Sequence, residues 1–410
     1  MPELLSPAGN FEKLKAAVRY GADAVYMAGQ IFGMRAAADN FTLEEMKEAV
    51  EYAHDRNVKV YLTVNTMPRE NEYPILKKYF SDIKSIPFDA LIVADIGVIS
   101  VAKEFLPNVD IHISTQANSV SSYACNEWQK LGATRIVLAR ELTLEEIREI
   151  RKNIPQELEL EAFIHGSMCV SYSGRCLLSN LLIDRDANRG MCAQPCRWNY
   201  KIREREYDII EEKRPDIPIP IKEINGETFI MSSKDMCMIE HIPDLMESGI
   251  NSFKIEGRMK SAYYTAVVTN AYRMAIDAYE KGDYEYNREW QRELESVSHR
   301  EYSTGYFYDR STETANICKD TGYIREKAYL ATVVSYNSET GEALLIQKNK
   351  LSLGEPIEIL SPGKTGVVAV VGDMYNESHE SITSAPHAQM TFYMKMPFEV
   401  KEGDIVRSAG

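Results

Sequence analysis

Short apolar runs recur from the N-terminus to about residue 258, with amphipathic stretches between them. The runs are LLSPA at 4–8, AVYMA at 24–28, VKVYLTVN at 58–65, ALIVAD at 90–95, IHIST at 111–115, RIVLAR at 135–140, LELEAFIHG at 158–166 and FKIEGR at 253–258. Each has the length of a strand and few polar interruptions, the pattern of parallel strands buried on both faces. The intervening NFEKLKAAVRYG, TLEEMKEAVEYAHDR and TLEEIREIRKN repeat apolar residues at helical spacing. Thr42 with Glu45, and Thr143 with Glu146, have the capping-box spacing of a helix start. Eight strands alternating with helices predict βαβ units closed into a (β/α)8, TIM-like barrel; a doubly wound open sheet is the alternative.

The rhythm fails between Gly166 and about Ile250, so the connection from the seventh strand to the eighth is a long insertion, of a length that is usually functional. Inside it, IPIPIKEINGETFIMSS alternates apolar and polar residues around Asn225-Gly226, the pair favoured by a tight hairpin turn. SAYYTAVVTNAYRMAIDAYEKG then reads as one long helix. From Lys327 onward the helical period disappears, and short alternating runs are punctuated by Gly, Asn and Pro. The expected organisation is an α/β catalytic domain at 1–326, carrying a cysteine-bearing insertion at about 167–250, followed by a small all-β, barrel-like domain at 327–410. A chain of 410 residues with 44% hydrophobic content exceeds what one core usually serves.

Charge narrows the partners. A formal net charge of −14 opposes indiscriminate attraction to a polyanion, so contact with nucleic acid requires a local basic patch. No stretch approaches the ~18 consecutive apolar residues of a membrane span. The opening MPELLSPAGNFEKL has no basic leader followed by an apolar run, and a cytoplasmic location is expected. In a reducing compartment, seven cysteines point to metal ligation or redox chemistry before disulfides.

Four of the seven lie in one stretch, Cys169-x6-Cys176-x15-Cys192-x3-Cys196. Four thiolates suit a tetrahedral zinc or a four-iron cluster. The C-x2-C knuckles of zinc ribbons are absent, and wide, irregular gaps are easier to reconcile with a cluster; four unligated thiols are the plain alternative. Cys237 is a substitute ligand, whereas Cys125 sits in a helical pattern as a small core residue. Beside the cysteines lies the basic patch that the global charge calls for. Arg185, Arg189, Arg197, Lys201, Arg203 and Arg205 are opposed only by Asp186 and Glu204. Trp198 and Tyr200 interleave as stacking surfaces for an unpaired base, or as anchors of a solvated loop.

In a barrel, the site is built at the C-terminal ends of the strands. Those ends carry Ser6 and Asn10, Asn65, Asp95, Ser114 with Gln116, Arg140 with Glu141, His165, and Glu256 with Arg258.

The run EAFIHGSMC at 161–169, followed by Gly174-Arg175-Cys176 and Ser179, resembles the signature of the collagenase-like peptidase family of unknown catalytic type. PELLSPAGN, GADAVYMA, KIEGRMKSAYY and the C-terminal β module extend the resemblance over essentially the whole chain. With RGMCAQPCRW and SSKDMC, the chain is most similar within that family to the tRNA 5-hydroxyuridine synthases, which modify the wobble uridine using prephenate. The resemblance implies a 4Fe-4S cluster on Cys169, Cys176, Cys192 and Cys196, with zinc as the alternative. It implies prephenate as co-substrate, tRNA as partner and, by analogy with related hydroxylation complexes, a paralogous subunit.

The two carboxylates of prephenate call for planar bidentate donors, so Arg140, Arg258 and Arg35, with Gln116, form the expected co-substrate set. His165, Arg140, Arg258 and Glu256 form the expected catalytic set, with His165 exchanging a proton at the reacting ring or merely hydrogen-bonding beside the metal loop. Arg185, Arg189, Arg197, Trp198, Lys201 and Arg203 are the expected RNA contacts. Proteolysis by a Cys169–His165 pair is a competing expectation, and a binding subunit with a structural cluster is another. The H-E-x-x-H and G-x-S-x-G motifs of other hydrolases are absent.

Overall fold

The structure is a computed structural model. It describes residues 1–409 except 35–38, 170, 173, 198–208, 212–213, 220–221, 225–226, 230–232, 283, 309–323 and 325; for Leu181, Arg197 and the short strands between 209 and 229 only the backbone is described.

Eight parallel strands close on themselves: β1 (Glu3–Pro7), β2 (Ala24–Met27), β3 (Lys59–Val64), β4 (Ala90–Val93), β5 (Asp110–Ile113), β6 (Arg135–Val137), β7 (Glu159–Ser167) and β8 (Ser252–Ile255). Closure comes from β8, which pairs with β1 (Glu3↔Ser252) and with β7 (Ser252↔Glu161). This is the expected (β/α)8 barrel, and the open sheet is excluded. The helices are α1 (Phe11–Arg19), α2 (Leu43–His54), α3 (Tyr73–Ile83), α4 (Ile96–Phe105), α5 (Ser122–Lys130), α6 (Leu144–Lys152), α7 (Leu178–Ile183), α8 (Ile242–Met246), α9 (Ala262–Glu280) and α10 (Arg288–Glu295). Both expected capping boxes form, with Thr42 and Thr143 accepting from the backbone of Glu45 and Glu146 while those carboxylates reach back.

The barrel interior is not uniformly apolar. Toward its N-terminal end, buried Arg135 pairs with Glu3 at 2.7 Å, Glu159 at 2.6 Å and Glu161 at 3.3 Å, and Tyr61 donates to Glu3. Lys254 continues the network through Glu161. Because each ion has an oppositely charged partner, these charges tolerate removal from water.

Strand β7 is the longest of the barrel strands because it serves a third partner beyond its two barrel neighbours. Its first part pairs with β6 and β8, and its end pairs antiparallel with the strand Asp235–Cys237. Between Phe163 and His165 the register against β8 shifts by one residue, a bulge. In the insertion, Lys222–Ile224 and Glu227–Phe229 pair antiparallel on either side of Asn225-Gly226, the hairpin arms that the sequence predicts.

The chain forms two compact units, residues 1–11, 24–259 and 300–323 in one, and 12–23, 260–299 and 324–410 in the other. The first contains the barrel strands and the cysteine insertion. The second contains most of α1, all of α9 and α10, and an antiparallel half-barrel sheet ordered 367–370, 356–360, 405–408, 329–337, 342–347, 391–395, 374–375, 381–382. Its core holds Val333, Leu345, Ile357, Ile359, Phe392, Met394 and Val406. Arg407, fully buried, binds Glu293 through two nitrogens at 2.6 and 2.7 Å and Glu358 at 2.7 Å, fastening α10 to this sheet within the unit.

Candidate active site

Two cavities open at the C-terminal ends of the barrel strands and share three residues. The first, with an empty volume of about 500 Å³ including the solvent it opens onto, is lined by Tyr26, Thr63, Asn65, Ser114, Gln116, Arg140, Phe163, Lys254, Glu256 and Arg258, among others. The second, about 710 Å³ on the same measure, is lined by Cys169, Cys176, Cys192 and Cys196 together with Tyr172, Gln194 and Pro195. Met34, Gln116 and Arg140 line both. A molecule in the barrel mouth and one beside the thiols therefore meet at the same amide and guanidinium.

The barrel cavity is built from strand ends. Asn65, just after β3, accepts from Met34 N at 3.2 Å and donates to Ser114 Oγ at 3.3 Å, tying the loop after β2 to the end of β5. Arg258 is buried and donates to Thr63 Oγ1 at 3.2 Å. Arg140 donates to the Ser167 carbonyl at 2.8 Å, and its guanidinium carbon lies 4.4 Å from the Phe163 ring centroid. Its Nε, like Gln116 Oε1, is buried with no hydrogen-bond partner among the described residues. Buried polar atoms are normally satisfied, so this pair marks a place where a polar ligand completes the structure. Glu256 accepts from Tyr26 OH at 3.3 Å. Asp95 instead caps α4 and accepts from Tyr73, a structural role.

Two glycines let the cysteine loop settle close to the barrel. Gly174 has φ +74°, and a Cβ there would stand 2.6 Å from Gln116 Oε1; Gly190 has φ +84°, and a Cβ would stand 2.6 Å from the Gly33 carbonyl oxygen. Both positions combine left-handed backbone with no room for a side chain. Ser179, wholly buried, accepts from Ala193 N at 3.1 Å and lies 3.8 Å from Cys192 Sγ. None of the four cysteines is in a disulfide; Cys169 and Cys192 are exposed, Cys176 and Cys196 half-buried. Among the described residues no three His, Cys, Asp or Glu side chains are gathered as ligands of one ion. The four thiols instead surround a shared space.

The remaining expected residues divide. Arg189 is committed to a bidentate pair with Glu72 at 2.7 and 2.8 Å, which holds the Glu72 carboxyl down to about 2 and ties the cysteine loop to the start of α3. Arg185 is exposed. The Arg197 side chain, and Arg35, Trp198, Tyr200, Lys201, Arg203 and Arg205, lie outside the described residues. His165 lines neither cavity; its ring packs 5.4 Å from that of Tyr302. Strict alternation puts residues 161, 163 and 165 on one face, and the bulge turns His165 off it. Cys237 pairs across from His165 and likewise lines neither cavity. The strand-end reading passes over Tyr26, Thr63, Phe163 and the charged Lys254, which also line the cavity. The signal for Lys254 was its place two residues before Glu256, on the same face by strand alternation.

The sequence model described as peptidase family U32 matches residues 9–317, and that of the peptidase family U32 C-terminal domain matches 325–407. The chain is 36% identical over 408 residues to tRNA hydroxylation protein P1 of Bacillus subtilis, covering 99% of this chain and 94% of that protein. It is 34% identical over 436 aligned positions to tRNA hydroxylation protein P of Escherichia coli, covering 98% and 95%. To a collagenase of Porphyromonas gingivalis it is 32% identical over 380, covering 89% and 88%. The matched regions take in seven of the eight barrel strands, the cysteine insertion and nearly all of the C-terminal sheet, and the chain belongs to peptidase family U32.

Proposed function

We propose that this protein hydroxylates RNA, and specifically that it converts the wobble uridine of tRNA to 5-hydroxyuridine with prephenate as the source of the hydroxyl group. The observation that carries the reading is the pair of cavities joined at Arg140 and Gln116. Arg140, Arg258 and Gln116 offer planar donors to a small anion in the barrel mouth, at the wall that it shares with the thiol-lined cavity. Relatives named as tRNA hydroxylation proteins, matched along nearly their whole lengths, support the same reading.

Cys169, Cys176, Cys192 and Cys196 are the residues proposed to hold a 4Fe-4S cluster. They fit it as four non-disulfide thiols around one space large enough for a group of several atoms. Such a group supplies electron transfer when bound. The chain's own residues position the reactants: Gly174 and Gly190 bring the cysteine loop against the barrel, Asn65 fixes the rim, and Glu256 with Tyr26 offers a site for proton exchange.

A peptidase reading has a relative named as a collagenase behind it. A thiol peptidase requires a base beside the nucleophile, and His165 packs on Tyr302 instead. The two readings separate in one experiment. In a strain lacking the gene and any paralogue, mass spectrometry of tRNA nucleosides is expected to show loss of 5-hydroxyuridine derivatives, restored by the wild-type gene but not by an Arg140→Met variant that accumulates to the same level. Unchanged 5-hydroxyuridine derivatives overturn the proposal. A folded, cluster-loaded Arg140→Met protein without activity also counts against a purely structural subunit.

A further inference from the structure

The buried lysine in the wall of the barrel cavity is not needed by the reading above, and its surroundings are unusual. Lys254 is 4% exposed and projects from β8 between the rings of Tyr26 and Phe163, with Nζ 4.5 and 5.5 Å from their centroids. Its hydrogen-bond partner among the described residues is Glu161 Oε1, at 2.5 Å. An ammonium has three N–H donors, so two are left without an acceptor among the described residues. Burying a charged donor without acceptors is costly unless something else in the site accepts from it.

We infer that Lys254 is a further anion-binding residue of the barrel cavity, receiving a carboxylate of a small organic acid on its two unclaimed N–H groups. Arg140 lies against the same Phe163 ring, and Arg258 lines the same cavity. Arg140, Arg258 and Lys254 are opposed by Glu256 in the lining and by Glu161, which pairs with Lys254, so the cations outnumber the carboxylates facing them by one and favour an anionic ligand. This rests on the reading that the barrel cavity holds the anionic co-substrate, and it adds an ammonium donor to the two guanidinium groups of that site.

The groups facing Lys254 decide how binding depends on pH. They are Glu161 on β7, Arg135 on β6, His112 on β5, Tyr26 on β2 and Glu256 just after β8. Burial pulls the ammonium below its ordinary value, and the Glu161 carboxylate opposes that. A bound carboxylate stabilises the charged form, so affinity falls as the pH rises through the lysine's titration. A guanidinium at this position stays charged throughout.

The test is calorimetric titration of the anaerobically purified, metal-loaded protein with prephenate and, separately, with malonate. Lys254→Met alone leaves the buried Glu161 with only its longer contact to Arg135, so the binding variant is the double substitution Lys254→Met with Glu161→Gln, whose fold is checked by its thermal transition and visible spectrum. Prephenate binding at least tenfold weaker in the double variant, with the alkaline fall in affinity abolished in Lys254→Arg, is the expected result. Wild-type affinity in the double variant overturns the role of Lys254 and leaves the co-substrate reading standing. If the wild type binds malonate but not prephenate, and the double variant loses malonate, the co-substrate reading fails while the anion site stands. If the wild type binds neither anion, both fail.

Discussion

Arg140 and Gln116 carry more of the site than any other side chains, because each faces two cavities and each keeps a buried polar atom unsatisfied among the described residues. Both were legible in the sequence, since a charged or amide residue closing an apolar run stands at the C-terminal end of its strand; Asp95 stands there too but caps α4 instead. Lys254 was not legible by that rule, because it lies inside the apolar run, where pairing with Glu161 removes the usual objection to a buried charge. His165 misleads for the opposite reason: it lies near the end of the right strand, but a single bulge that no periodicity reveals changes its face. The cysteines are the sharpest residue-scale case. If the four that line one cavity hold an iron–sulfur group, anaerobic protein is brown with about four irons per chain. Cys192→Ala should then lose most of that colour, while Cys237→Ala, on a strand outside the cavity, keeps it. Iron content and visible absorption of the two variants check this, and equal colour in both rejects the ligand set.

At the scale of elements, strands and helices were readable wherever the local pattern had one cause. Apolar runs became parallel strands buried on both faces, and both Thr–x–x–Glu signals became capped helix starts. Local period carries no record of which neighbours a helix packs against, and so the grouping of α9 and α10 with the C-terminal sheet was not readable from it. That grouping has an identifiable fastener. Arg407 on the sheet neutralises Glu293 of α10 and shares Glu358 with Lys327, all but Lys327 being buried. Arg407→Met should leave Glu293 charged and unpaired out of water, whereas Glu358 keeps Lys327. The expected cost is about 3 kcal/mol, the low end for breaking a buried pair from one side. Chemical denaturation of this unit's transition measures it, and a matching Glu293→Gln in the same background should recover part of the loss; an unchanged transition denies the fastener.

For the whole molecule, the net charge of −14 sets the terms on which any RNA is bound. A polyanion approaching this protein is repelled at long range, so binding must come from a small cationic surface, and it must weaken steeply with salt in proportion to the phosphates contacted. Arg185 and Arg189 stand close together in sequence but differ in what they offer such a surface. Arg185 is exposed, while Arg189 already holds Glu72 with two nitrogens. If the strip from Arg185 to Arg205 meets the tRNA backbone, a plot of log affinity against log salt should lose roughly 0.7–0.9 of slope in Arg185→Ala, the share of one phosphate contact. In Arg189→Ala the slope should stay as in the wild type, because that guanidinium serves the loop and not the phosphate; any loss of affinity there should be independent of salt, reflecting a cysteine loop released from the start of α3. Fluorescence anisotropy with labelled tRNA between low and physiological salt reads both. A reduced slope for Arg189→Ala with none for Arg185→Ala would reverse the assignment, and flat salt dependence in the wild type would remove the phosphate contacts altogether.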